Sequence, residues 1–299
     1  MTRTYATPLA FKAALEARIA ERARGSGRTM NRVRQILVME RFLVRVCETL
    51  DAVVLKGGLV MELRLERART TRDVDVRANV RAPELLGRLR EAARLKLDDY
   101  LSFEVERDDD HPTIEAEGLR YLGQRFRVTA TLAGRRYGDI FGLDVAIGEP
   151  IVGSPQPLAG DDLLAFLGLP TPVFCAVPVA THVAEKLHAY TLPRPRPNSR
   201  VKDLPDIALL ATTADLDAAE LARAIQETFA HRATHDVPTS LPEPGPAWEP
   251  VYARMAAADG LPWKTLTALT AQVRAFLDPV VAGDAGRWDP QTWRWHPSR

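Results

Sequence analysis

Residues 55–76 read LKGGLVMELRLERARTTRDVDV. The apolar run AVVLKGG (52–58) has the character of a short buried strand that breaks at Gly57–Gly58. A short helical pattern follows from Gly58 to Leu65, then an Arg/Thr cluster, then a second strand-like run, TTRDVDV (70–76). Side chains alternate across a strand, so Asp73 and Asp75 share one face. Their Cα atoms are expected about 6.5–7 Å apart. Carboxylates that close repel unless a cation bridges them. A hard divalent ion such as Mg²⁺ meets that need, with phosphate oxygens and water completing its shell. Gly57 and Gly58 let the backbone approach phosphate, the N–H groups opening the next helix favour an anion, and Lys56 adds a point charge. A KGG turn or a D-x-D pair alone is a weak signal. Strand, glycine turn, helix and D-x-D strand in one unit point to phosphoryl or nucleotidyl transfer.

Outward from this unit, Phe11, Leu15 and Ile19 mark an amphipathic helix ending at Gly25–Gly27, and Asn31 to Leu50 reads as a longer one. Ala82 to Leu97 is helix-like. LSFEVER (101–107), QRFRVTATLAGRRY (124–137) and DIFGLDVAIGEP (139–150) read as strands, the last carrying Asp144. The pattern predicts an α+β fold: a twisted mixed sheet with flanking helices over residues 1–155, then a mainly helical C-terminal lobe over 156–299. The Pro/Gly-rich stretch around 148–160 is read as the linker, and the aromatic tail GRWDPQTWRWHPSR as a surface layer. If its strand neighbours the D-x-D strand, Asp144 supplies a third oxygen, and three acids suit two-metal transfer.

The 299 residues carry a net charge of +1, so this is no globally basic nucleic-acid binder. Basic residues are concentrated locally, however. Residues 62–96 hold ten against six acidic ones, which reads either as solvated helix faces or as a phosphate-facing patch. Two cysteines, Cys47 and Cys175, form no CxxC pair or disulfide framework. With no apolar run of membrane-spanning length and no signal-peptide pattern at the N-terminus, the expectation is a cytoplasmic protein.

The ordered motifs KGG, RTTRDVDV, LDVAIGEP, EKLHAYT and SRVKDLPDIALL resemble those of the AbiEii/MenT-type nucleotidyltransferase toxin family, the toxic halves of type IV toxin–antitoxin or abortive-infection pairs. The resemblance covers roughly residues 30–215 by motif. It implies a DNA polymerase β-like nucleotidyltransferase fold that uses an NTP (ATP, GTP or CTP) with Mg²⁺ or Mn²⁺. It implies that Lys56, Gly57 and Gly58 contact the triphosphate and that Asp73 and Asp75 bind metal. By position, Lys186 matches the lysine of the helical lobe that faces the nucleotide, and Asp203 or Asp206 its downstream acid; Lys202 is placed with the nucleotide-binding residues. It further implies a tRNA 3′ end or another RNA as acceptor and a winged-helix antitoxin as partner. Many members carry a small hydroxyl residue after the two glycines. Here that residue is Leu59, which removes one side-chain contact to phosphate.

Other readings stand beside these. Lys186 is also a solvated helix charge, Asp203 an N-cap, and Asp206 a complement to the helix dipole. His182 and His188, six apart, face different ways and suit packing rather than zinc. Asp108 to His111 read as a solvated turn. Thr70 and Thr71 support the strand, or offer hydroxyls where added charge would switch the site off. Trp288, Trp293 and Trp295 suit packing better than base stacking. Arg194, Arg196 and Arg200 join the arginines of 64–94 as candidate RNA guides. Two rival functions remain at this stage: nucleotidylation of a small molecule or protein, and an idle NTP-binding interaction protein.

Overall fold

The computed structural model describes residues 5–65, 70–109, 122–149, 151–194 and 200–297. Helix α1 (Pro8–Ser26) starts at the Thr7 cap, whose hydroxyl accepts from the Ala10 N–H, and stops at Gly27 in the left-handed region. Helix α2 (Met30–Thr49) is capped likewise by Thr29. Then come β1 (Asp51–Lys56), α3 (Gly57–Arg64), β2 (Asp73–Asn79), α4 (Leu85–Arg94), β3 (Leu101–Arg107), β4 (Leu122–Leu132), β5 (Arg135–Arg136) and β6 (Phe141–Ile147). After these lie β7 (Gln156–Ala159), β8 (Val173–Ala176), α5 (Val179–Thr191), α6 (Asp203–Ala211), β9 (Leu216–Asp217) and α7 (Ala218–Arg232). The chain closes with α8 (Glu249–Ala258), α9 (Leu266–Ala282), β10 (Arg287–Asp289) and β11 (Arg294–His296).

The main sheet runs β3-β4-β6-β2-β1-β8-β7, with β5 added to β4. β2 is parallel to β6 and β1 to β8; the other pairs are antiparallel. The mixed sheet with flanking helices is therefore as expected. Two strands were not: β7 falls in the stretch read as linker and β8 in the part read as helical. At four residues each they are too short to show alternation, yet β8 pairs with β1 and extends the sheet beyond residue 155.

Alternation gives the sheet two unlike faces. Val74, Val76, Phe126, Val128, Leu143 and Val145 join Phe11, Leu15, Leu37, Phe42 and Leu89 of the helices in one apolar core. Asp73, Asp75, Asp144 and Arg125, at the intervening positions, lie on the opposite face. A second core gathers α5, α6, α7 and α9, with Met61 of α3 reaching into it from the sheet side. Of the aromatic tail read as a surface layer, Trp288 belongs to this core, while Trp293 and Trp295 pack half-buried against it. Trp288 is 1% exposed, donates its indole N–H to the Ala211 carbonyl at 2.8 Å, and packs edge-on against Phe276. Among the described residues no helix is long and apolar enough to cross a membrane.

Candidate active site

The strand register places four charged residues in one lateral row across β1, β2, β6 and β4. Lys56 is opposite Asp75, Asp75 opposite Asp144, and Asp144 opposite Arg125. The neighbouring row holds Asp73, Gly142 and Arg127. Gly57 and Gly142 are there because nothing larger fits. A Cβ on Gly57, whose φ is +68°, would collide with the Asp75 carboxylate, and one on Gly142 with that of Asp73. Gly58 faces Thr71, where a Cβ would stand 2.6 Å from Oγ1. The two motif glycines thus pack the opening of α3 directly onto β2.

The approach to β2 is fixed from behind. Glu62 of α3 accepts from the Thr71 N–H at 2.5 Å and pairs with Arg32 of α2, which also donates to the Thr71 carbonyl at 2.7 Å. The Thr71 hydroxyl donates to the Asp73 carbonyl at 3.2 Å, and the residue is 7% exposed. That is the strand-support role. Thr70 is exposed.

Electrostatics single out the D-x-D pair. Burial and the neighbouring Asp144 push the Asp73 carboxyl above its usual range, and the same two causes take Asp75 to about 6. Lys56 and Lys186 act in the other direction on Asp75, as do Arg125 and Lys202 on Asp73. Burial and Asp144 outweigh these cations at both carboxylates, which sit in glycine-lined space and are the hard oxygen donors a divalent ion takes. They fit such an ion. Among the described residues no three His, Cys, Asp or Glu side chains are arranged to hold a metal. Asp144, the expected third ligand, stands beside the pair, but Arg125 engages both its oxygens at 2.7 Å.

The helical lobe brings in Lys186. Its ammonium donates to Asp206 at 2.6 Å and to Asp203 at 3.3 Å, with both acids buried. The sequence left a choice between these acids; the structure joins both to one lysine. Asp203 is the first residue of α6 rather than its cap. Arg200 lies 3.5 Å from Asp203, and Arg194 donates to the Ala189 carbonyl. Arg196 lies outside the described residues, as do Arg67, Arg69, Asp110 and His111.

Lys56 is clasped by Glu149 and by Glu185, the latter at 2.9 Å. Arg232 at the end of α7 donates to the other Glu149 oxygen at 2.8 Å. Burial alone would raise the Glu149 carboxyl; Lys56 and Arg232 reverse this and bring it to about 2. Sequence reading missed Glu62, Arg125, Glu149, Glu185 and Arg232. Glu149 lay inside the quoted motif LDVAIGEP, and Arg125 was legible as a basic residue in an alternating strand. His182 and His188 are both buried in the lobe. The neutral ring is favoured in each, by burial first, then by Lys186 for His182 and by Arg232 for His188, which falls to about 3.

Residues 41–282 match the family described as nucleotidyl transferase AbiEii toxin, type IV toxin–antitoxin system. The chain belongs to this family. AbiEii membership makes it a nucleotidyltransferase and the toxin of a type IV pair, with an NTP as substrate and an antitoxin as counterpart. MenT4, the nucleotidyltransferase toxin Rv2826c from Mycobacterium tuberculosis H37Rv, shares the fold: TM-score 0.56, 17% identity, 92% of each chain covered. JHP933 from Helicobacter pylori superposes with a TM-score of 0.41 at 15% identity, over 67% of this chain and 79% of that one. No curated protein matches.

Proposed function

We propose that this AbiEii toxin is a divalent-metal-dependent nucleotidyltransferase that moves NMP from an NTP to the 3′ end of an RNA, tRNA in particular, and so blocks translation. The observation that carries the reading is the pairing of Asp73 and Asp75 on one strand face, under the opening of α3, with Lys186 close enough to favour the charged form of Asp75. The Gly57–Gly58 amides bind the triphosphate, with Lys56 and Lys202 adding positive charge. Asp73 and Asp75 hold Mg²⁺ or Mn²⁺, which when bound polarises phosphate and acceptor hydroxyl. The acceptor oxygen bonds to the α-phosphorus, the bond to the β-bridging oxygen breaks, and pyrophosphate leaves; the hydroxyl proton passes to water. Lys186, oriented by Asp203 and Asp206, stabilises the charge gathering on the leaving group.

Exposed Arg72 and Arg127, beside the D-x-D rows, support a phosphate-rich acceptor, whose binding would weaken with salt. In this reading the main sheet, including β7 and β8, acts with its flanking helices as a nucleotidyltransferase domain and the helices from α5 onward as a helical lobe, in a cytoplasmic protein held in check by a winged-helix antitoxin. The test is transfer of label from each α-³²P NTP to total RNA by the purified protein with Mg²⁺, beside an Asp73→Ala/Asp75→Ala variant. Label on tRNA-sized RNA that vanishes in the variant is the expected result. Label only on protein or small molecules would replace the acceptor, and retained toxicity of the variant would remove the catalytic reading altogether.

A further inference from the structure

The lateral row Lys56–Asp75–Asp144–Arg125 puts a cation at each end of two acids. The ends are not equivalent. Lys56 also pairs with Glu149 and Glu185, so it is not committed to one carboxylate. Arg125 is committed to Asp144 through two parallel bonds, Nε to Oδ1 and Nη2 to Oδ2, both 2.7 Å. A guanidinium fork closed on a carboxylate in this way is the most geometrically specific ion pair side chains make. Asp144 is 9% exposed, so giving its oxygens to a metal ion would leave Arg125 without its counter-charge beside a buried group. Arg125 also acts favourably on Asp73, two residues from Asp75 on the same face. Its Nη1 makes no hydrogen bond among the described residues, and the side chain is 35% exposed, so this donor is open to a substrate phosphate.

We propose that the site takes one divalent ion, on Asp73 and Asp75, and that Arg125, anchored by Asp144, is the permanent second cation of the site and contacts a substrate phosphate through Nη1. Asp144 is then the positioning residue for Arg125 and not a metal ligand. The inference rests on the metal reading above and deepens it. A fixed guanidinium brings its charge without the binding equilibrium a second ion would need.

Mn²⁺ binding read by electron paramagnetic resonance tests this independently of any acceptor. The purified chain is titrated with Mn²⁺ in the presence of the non-hydrolysable α,β-methylene analogue of each of the four NTPs. One Mn²⁺ per chain is expected, weakened by more than about tenfold in Asp73→Asn and little changed in Asp144→Asn. The double variant Arg125→Gln/Asp144→Asn, which removes both charges together, keeps that single Mn²⁺ but binds the analogue more weakly. Two Mn²⁺ per wild-type chain, or equal weakening by Asp144→Asn and Asp73→Asn, overturns the inference while leaving the metal reading intact. Mn²⁺ binding that neither variant alters overturns both. The wild-type stoichiometry decides even if a variant folds poorly.

Discussion

Lys186 lies 2.6 Å from Asp206 and 3.3 Å from Asp203, and none of the three side chains is more than 11% exposed. Burying a charge is costly, and here one cation answers two carboxylates, with Arg200 as a further partner 3.5 Å from Asp203. Lys186 therefore has a structural duty besides any chemical one. Removing one member of a buried pair strands the others, so Lys186→Met is expected to destabilise the fold by about 3–5 kcal/mol. Restoring neutrality with Asp206→Asn should recover a large part of that loss, because the stranded carboxylate is gone. Urea midpoints of the single and double variants check this. Loss of nucleotidyl transfer in the stable double variant would then report on chemistry and not on folding. A single variant as stable as the wild type would mean that the acids do not depend on this lysine.

Helix α2 carries a different buried charge. Glu40 is 1% exposed and accepts from the Asp161 N–H at 3.0 and 3.2 Å, tying the loop after β7 to the helix that backs the sheet. Burial lifts its carboxyl from 4.5 to about 8, against the pull of the Asp161 N–H. A carboxyl raised in the folded state holds its proton there when the unfolded chain has lost it. The contribution of Glu40 to stability is thus fully present below about pH 4.5, falls as pH rises to about 8, and then levels. Glu40→Gln keeps the acceptor and removes the titration. Its melting temperature should match the wild type near pH 5 and exceed it at pH 9, by stability on the order of a few kcal/mol; parallel curves would remove the effect. No periodicity marks such a residue, since Glu40 occupies a helix position that composition alone reads as polar surface. Elements with long periodic patterns, α1, α2, β2, β3 and β6, were legible in the sequence because alternation and helical spacing run over seven residues or more. β7 and β8 are pairing decisions, made by the vacant edge of β1 rather than by their own four residues. The D-x-D pair and the glycines were legible for a local reason, since a strand and a turn set their geometry within twenty residues. Glu149, Glu185 and Arg232 were not, because their meaning lies in contacts 47 to 129 residues apart in the chain.

At the scale of the molecule, the two apolar cores meet through charge. Lys56 leaves the end of β1, Glu149 follows β6, Glu185 sits on α5 beside Lys186, and Arg232 ends α7. These four side chains alternate in sign and are at most 14% exposed. Glu185 and Lys186 are consecutive, so the joint that holds α5 to the sheet also sets where Lys186 stands relative to Asp75. Glu149 falls from 4.5 to about 2, because Lys56 and Arg232 outweigh its burial. A carboxyl depressed in the folded state stabilises above the unfolded value, and that stability is lost as pH falls from about 4.5 toward 2. Arg232→Met should therefore cost about 3–5 kcal/mol at pH 7 and progressively less below pH 4. The consequence reaches beyond magnitude. All five tryptophans lie at or beyond residue 248, so fluorescence reports on the helical lobe, while far-ultraviolet circular dichroism reports on the whole chain. If the joint couples the two cores, the two signals coincide through urea unfolding of the wild type, and in Arg232→Met fluorescence changes first. Coincident curves in the variant would show that apolar contacts such as Met61 reaching into the second core suffice to unite the halves, and that the charges serve the site alone.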